Sequence, residues 1–86
     1  MPTYAETMFN AYEEARLEAS KISDREKLAA HWLGKTEWFS DRLARACQIE
    51  ADLEVMHIPV PTPLSEASQA LMTIVEVCQK HYELCA

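Results

Sequence analysis

A helical repeat of apolar side chains runs through residues 64–85, LSEASQALMTIVEVCQKHYELC. Apolar or weakly polar side chains recur there at alternating steps of three and four residues: Leu64, Ala67, Leu71, Ile74, Cys78, His81 and Cys85. This spacing places all of them on one stripe of an α-helix, the side that packs against neighbouring helices. The stretch therefore predicts a long amphipathic helix over about residues 63–84, with Thr62 as its cap and Pro63 in its first turn.

A second stretch, near the N-terminus, carries the same repeat. Its apolar stripe consists of Ala5, Met8, Tyr12, Ala15, Ala19 and Ile22. Thr3 precedes the repeat and has the side chain that caps the first amides of a helix. The pattern predicts a helix over about residues 4–21.

The middle of the chain begins with a helix-start signal. Ser23 and Glu26 have the spacing of a capping box, which predicts a helix start near Asp24. The apolar rhythm then continues to about His57. An unbroken helix over residues 24–57 would span about 50 Å, against about 27 Å for the first helix. Such a mismatch would leave an apolar overhang that only another subunit could cover.

The alternative is a kink or break at residues 34–36. Gly34 is the one glycine of the chain, and glycine ends helices at little steric cost. Thr36 could then cap a new helix. Both alternatives fit the sequence, and we favour the kink or break near Gly34.

Alternating prolines exclude a helix between the second and last segments. Pro59 and Pro61 in the stretch IPVPT, residues 58–62, remove backbone donors and favour extended geometry. The sequence thus predicts one all-α domain over residues 1–86, a small bundle of three to four antiparallel helices.

Composition excludes several classes of protein. The chain has 86 residues, of which 49% are hydrophobic and 26% charged, as in ordinary globular proteins. No apolar run approaches the ~20 residues that cross a bilayer, so no membrane span is expected. Three cysteines without a recognisable secretion signal are typical of reduced thiols, and we expect a cytoplasmic protein.

Charge is unevenly distributed along the chain. The net charge is −6, and residues 46–86 hold six acidic residues but only Lys80 as a base. Because acidic chains repel phosphate backbones, direct nucleic-acid binding is disfavoured.

One cluster could carry metal chemistry. Cys78, His81 and Cys85 lie at i, i+3 and i+7, and thiolate and imidazole are preferred zinc ligands. The same residues occupy the apolar stripe, and the Cys-x-x-Cys pairs of structural zinc sites are absent. We therefore favour a packed core and expect no metal or cofactor. With no phosphate loop and no activated nucleophile in the sequence, an enzyme is not expected.

The apolar surplus of so small a chain points to a partner. Trp38 is either turned into the core by a break at Gly34 or exposed as an anchor for another protein. We predict a partner-binding surface at Trp38, Val55, Ile58 and Val60. The favoured hypothesis is a non-enzymatic protein-interaction module that forms a homodimer or higher oligomer, with a small acidic inhibitor or adaptor as one form. The alternative is a metal- or small-ligand-binding bundle that uses the Cys78/His81/Cys85 face or a pocket near Tyr12 and Trp32.

Overall fold

The computed structural model describes residues 1–85, which form three helices and no strand. Helix α1 spans Tyr4–Ala19, α2 spans Arg25–Val55 and α3 spans Thr62–Cys85. The all-α prediction is confirmed for this part of the chain. No helix within it is long and apolar enough to cross a membrane.

The start of α1 is capped as expected, whereas the start of α2 is not. Thr3 Oγ1 accepts a hydrogen bond from the backbone amide of Glu6 at 3.1 Å. At α2 the cap is Asp24, which accepts from the amides of Glu26 and Lys27 at 2.9 and 3.4 Å. The predicted capping box on Ser23 is therefore wrong by one residue. Asp24 satisfies the same orphan amides from the adjacent position.

The expected break near Gly34 is absent, and α2 is one continuous helix of 31 residues. Gly34 does not take a positive φ, and Thr36 donates to the carbonyl oxygen of Trp32 at 2.8 Å and caps no new helix. Trp32, Phe39 and Ala46 are all buried, at intervals of seven residues. Because this spacing keeps one helical stripe against the core on both sides of Gly34, packing overrides the weak helix propensity of glycine.

The end of α2 is a Schellman motif. His57 adopts a left-handed conformation with φ of 58°, and its amide donates to the carbonyl oxygen of Glu54. The amide of Ile58 donates to Leu53 at 2.9 Å, which completes the motif. After the proline-containing connector, α3 begins at Thr62, one residue earlier than predicted.

Helices α2 and α3 form an antiparallel pair. At one end Arg25 Nε donates to the carbonyl oxygen of Cys85 at 2.9 Å. At the other end Ser68 Oγ donates to the carboxylate of Glu50 at 2.5 Å, so that buried Ser68 has a partner. Helix α1 runs antiparallel to α2 and packs mainly on α3. The shared core consists of Met8, Ala15, Ala19, Trp32, Phe39, Ala46, Leu71, Ile74 and Cys78.

The helices differ strongly in length. At 1.5 Å per residue α2 is about 46 Å long and α1 about 24 Å, and the chain measures 49 × 27 × 13 Å along its principal axes. Helix α1 therefore leaves the C-terminal part of α2 uncovered. Ile49, Val55, Met56 and Ile58 are large apolar side chains that remain exposed there.

Candidate functional site

Two polar contacts join helices α1 and α2 near their connecting loop. There His31 Nε2 donates to the carbonyl oxygen of Ala15 at 2.9 Å, which places the ring proton on Nε2. One turn further along α2, Lys35 Nζ lies 4.0 Å from Glu18 Oε2. Towards the N-terminal end of α1 the two helices are separated by a groove.

The α1/α2 groove is an open cavity of about 680 Å³ whose lining is mainly apolar. Its wall and floor are formed by Tyr4 and Met8 from α1, by Trp38, Arg42, Arg45, Ala46 and Ile49 from α2, and by Pro63, Leu64 and Ala67 from α3. The rings of Tyr4 and Trp38 and the side chain of Ile49 are 40–50% exposed. The groove thus presents large apolar side chains directly to solvent.

Two arginines border the groove. The Arg42 guanidinium lies over the Trp38 ring, 3.2 Å from its centroid, and Arg42 Nη1 donates to the Trp38 carbonyl oxygen at 3.1 Å. This cation–π contact holds the indole at the rim. Neither Arg42 nor Arg45 forms a salt bridge within residues 1–85. The arrangement suits a ligand that combines an apolar surface with a carboxylate.

The predicted partner-binding residues do not form one surface. Trp38 lies in the groove wall and is 40% exposed, so the alternative that turned it into the core is wrong. Val55 and Ile58 are exposed at the far end of α2, outside the groove. Val60 is half-buried, contrary to the exposed position expected for it. It lies in the short connector where the chain reverses between the antiparallel helices α2 and α3.

Sequence reasoning missed most of the groove. Arg42, Arg45 and Ile49 follow Trp38 at steps of four, three and four residues, which is a helical stripe. That spacing is present whether or not α2 breaks at Gly34, but it does not show that the stripe borders a groove. The contribution of Tyr4 depends on how α1 packs, which no local pattern reveals.

The Cys78/His81/Cys85 face belongs to an aromatic core cluster. Cys78 is completely buried, and burial raises the pKa of its thiol to about 11. The His81 ring stacks on Trp32 at 4.3 Å between centroids, and a hydrogen bond of 3.0 Å joins His81 Nε2 to Tyr12 Oη. No group of three His, Cys, Asp or Glu side chains in residues 1–85 is placed to hold a metal ion.

Tyr12, named with Trp32 as an alternative pocket, is part of the same cluster. The two ring centroids lie 6.2 Å apart. Burial raises the pKa of Tyr12, and a charge on neighbouring Cys78 would raise it further. Both groups are thus held in their neutral forms, as packing residues are.

Comparison with protein-family models, with curated proteins and with solved structures finds no match to this chain.

Proposed function

We propose that this chain is a non-enzymatic helical interaction module that binds protein through the α1/α2 groove. The observation that carries the proposal is the exposure of Tyr4, Trp38 and Ile49 around one apolar cavity. Exposed apolar patches on small domains are typical of interaction surfaces. Tryptophan, tyrosine and arginine are also the side chains that most often dominate binding energy at interfaces.

The chemistry of the groove favours binding over catalysis. Its lining contains no carboxylate, histidine, cysteine or serine. A catalytic centre needs a nucleophile, an acid or a base beside the place where the substrate sits. The groove offers apolar contact and two positive charges, which are the components of a recognition surface.

The charges of the groove and of the C-terminal half each indicate a kind of partner. Unpaired Arg42 and Arg45 complement an acidic segment with an apolar face, such as an amphipathic helix laid into the groove. The remainder of the C-terminal half is strongly acidic. This acidic half supports one form of the module, an inhibitor or adaptor that covers a basic surface of its target.

Affinity capture from the cells that express the chain tests the proposal. Ile49→Gln removes an apolar contact from the groove without changing its charge, and Leu33→Gln is the matched control. Both residues are exposed on α2, at 50% and 42%, but Leu33 does not line the groove. We expect a protein retained by the wild type and by Leu33→Gln, with at least about tenfold less retained by Ile49→Gln. Equal retention by Ile49→Gln would show that the groove is not the docking surface.

A second candidate function is supported by the size of the cavity. A volume of about 680 Å³ falls within the ~300–1,000 Å³ of small-molecule sites. An anion with an apolar tail would place its charge beside the arginines and its tail over Leu64 and Ala67. Native mass spectrometry of the purified chain separates the two candidates, because only this one expects a small molecule that Ile49→Gln loses.

A further inference from the structure

A line of side chains continues the groove wall to the end of α2. It consists of Trp38, Arg42, Arg45, Ile49, Asp52 and Met56, at steps of four, three, four, three and four residues. At ~100° per residue these six side chains lie within about 40° of one line along the helix, over a length of about 27 Å. We refer to them as the α2 stripe. Beyond Ile49 the stripe leaves the groove and follows the overhang that α1 does not cover.

The α2 stripes of two copies are complementary when the two helices lie antiparallel. A second α2 that lies antiparallel, with the two-fold axis at the level of residue 47, pairs Trp38 with Met56 of the partner copy. In the same register Arg42 faces Asp52 of the partner copy, and Arg45 faces Ile49 of the partner copy. Each of these pairs occurs twice by symmetry. The first pair is a sulfur–aromatic contact and the second is an ion pair. In the third, the aliphatic part of the arginine side chain packs on the isoleucine.

Other alignments of two α2 helices are less favourable. A parallel pair would set Arg42 against Arg42 and Asp52 against Asp52. An antiparallel pair shifted by one helical turn towards the N-terminus would set Arg45 against Arg45 and place Asp52 against Trp38. Like charges in contact oppose association. Of these three alignments, the register centred on residue 47 is the one that pairs Arg42 with an opposite charge.

The charged members of the stripe form no salt bridge with other residues of the described part of the chain. The Asp52 carboxylate accepts one hydrogen bond, from Gln48 Nε2 at 2.9 Å. Asp52 and Arg42 are ten residues apart on one helix, about 15 Å, and cannot meet within a chain. A second copy supplies each of them with its counterion.

We propose that the occupant of the α1/α2 groove is a second copy of this chain, paired antiparallel along the α2 stripe in a two-fold symmetric dimer. The inference rests on the proposed function, since it names the protein that docks at the same groove. The pairing brings the exposed end of each α2, at Met56, over Trp38 at the groove of the other copy. The antiparallel α2–α2 contact would thus cover the C-terminal part of α2 that α1 leaves exposed and would also occupy the groove.

A charge swap tests the pairing. Light scattering after size-exclusion chromatography, across the micromolar range, is expected to give twice the 9.8 kDa of one chain for the wild type. Arg42→Asp and Asp52→Arg each set like charges against each other in both symmetric pairs, so each is expected to weaken the dimer at least about tenfold. The double variant restores opposite charges in both pairs and is expected to associate at least about tenfold more tightly than either single variant, although it lacks the contact of Arg42 with Trp38.

Two controls accompany the swap. Lys80→Asp changes the charge of exposed α3 by the same amount away from the stripe, and it is expected to leave association unchanged. Circular dichroism of every variant shows that the helices remain folded. Because residues 42 and 52 cannot interact within one chain, recovery in the double variant supports only an intermolecular antiparallel contact.

Several results would overturn the proposal. One is a wild-type chain that is monomeric throughout the micromolar range. Another is a dimer that Arg42→Asp does not weaken, or that the double variant does not recover, since the copies would then meet elsewhere. A monomeric chain that still captures a partner, and loses it in Ile49→Gln, would overturn the second copy as occupant and leave the groove as a docking site. Partner capture unaffected by Ile49→Gln would instead contradict the proposed function.

Discussion

Cys78 lies at the centre of the core with no exposed surface, and its position determines its chemistry. Burial is the main reason that the pKa of its thiol rises from 9.0 to about 11, while Lys35 acts weakly in the opposite direction. A thiol held neutral in this way is a poor nucleophile and a poor metal ligand. It contributes to the protein as a small polarisable core side chain.

Cys78→Ala should lower the free energy of unfolding at neutral pH by about 1 kcal/mol or somewhat more, because it leaves a small cavity in the core. Since the folded pKa is raised, the stability that Cys78 contributes is complete below pH 9 and is lost as the pH rises through about 11. The variant should therefore show a weaker decline in stability over this alkaline range. Urea denaturation followed by circular dichroism measures both effects.

Two results would contradict this role of Cys78. A variant as stable as the wild type would mean that the thiol does not fill the core. Unfolding of the wild type on addition of a metal chelator would show that the residue binds a metal.

Gly34 lies within α2, where tertiary packing overrides the low helix propensity of glycine. A Cβ atom added at this residue would meet nothing within 4 Å, and the residue lies inside a regular helix. Gly34→Ala should therefore raise the free energy of unfolding by about 0.5–1 kcal/mol, because alanine loses less backbone entropy in a helix. Ala44→Gly, at an exposed position on the same helix, should lower it by a similar amount. A loss of stability in Gly34→Ala would indicate that α2 is broken in solution.

The features predicted correctly from sequence are those set by neighbours in the chain. The Thr3 cap and the proline-containing connector after α2 depend on local chemistry, and the long apolar stripe of α3 is regular enough to define a helix. Continuity through Gly34 depends on Trp32 and Phe39 packing against another helix, which no local signal contains. The groove was hidden for a different reason: Arg42 and Ile49 share a face with Trp38 in either case, but the place where α1 packs beside that face is a tertiary property.

The three helices differ in how extensively they pack against one another. The largest contact is between α2 and α3, and α1 packs mainly on α3 and only slightly on α2. Only three α1 side chains are buried: Met8, Ala15 and Ala19. Two of the three are alanines, which bury little apolar area. Helix α1 is therefore the least strongly anchored of the three.

Native-state hydrogen exchange should reveal this difference. Amides in α1 should exchange faster than those of α2 and α3 that surround Phe39 and Leu71, because α1 can open while the α2/α3 pair stays folded. Mass spectrometry after brief labelling measures the protection of each helix. Equal protection of all three helices would mean that α1 opens only with the whole chain.

The two tryptophans lie in opposite surroundings, and this gives the unlabelled protein two optical reporters. The Trp32 indole is 3% exposed and stacks on His81, whereas the Trp38 indole is 40% exposed at the groove. The emission of an indole shifts to longer wavelength as water gains access to it. Occupation of the groove should shift the Trp38 emission to shorter wavelength and leave Trp32 unchanged, while unfolding should shift Trp32 to longer wavelength. Docking and denaturation can thus be followed separately in the intrinsic fluorescence of one sample.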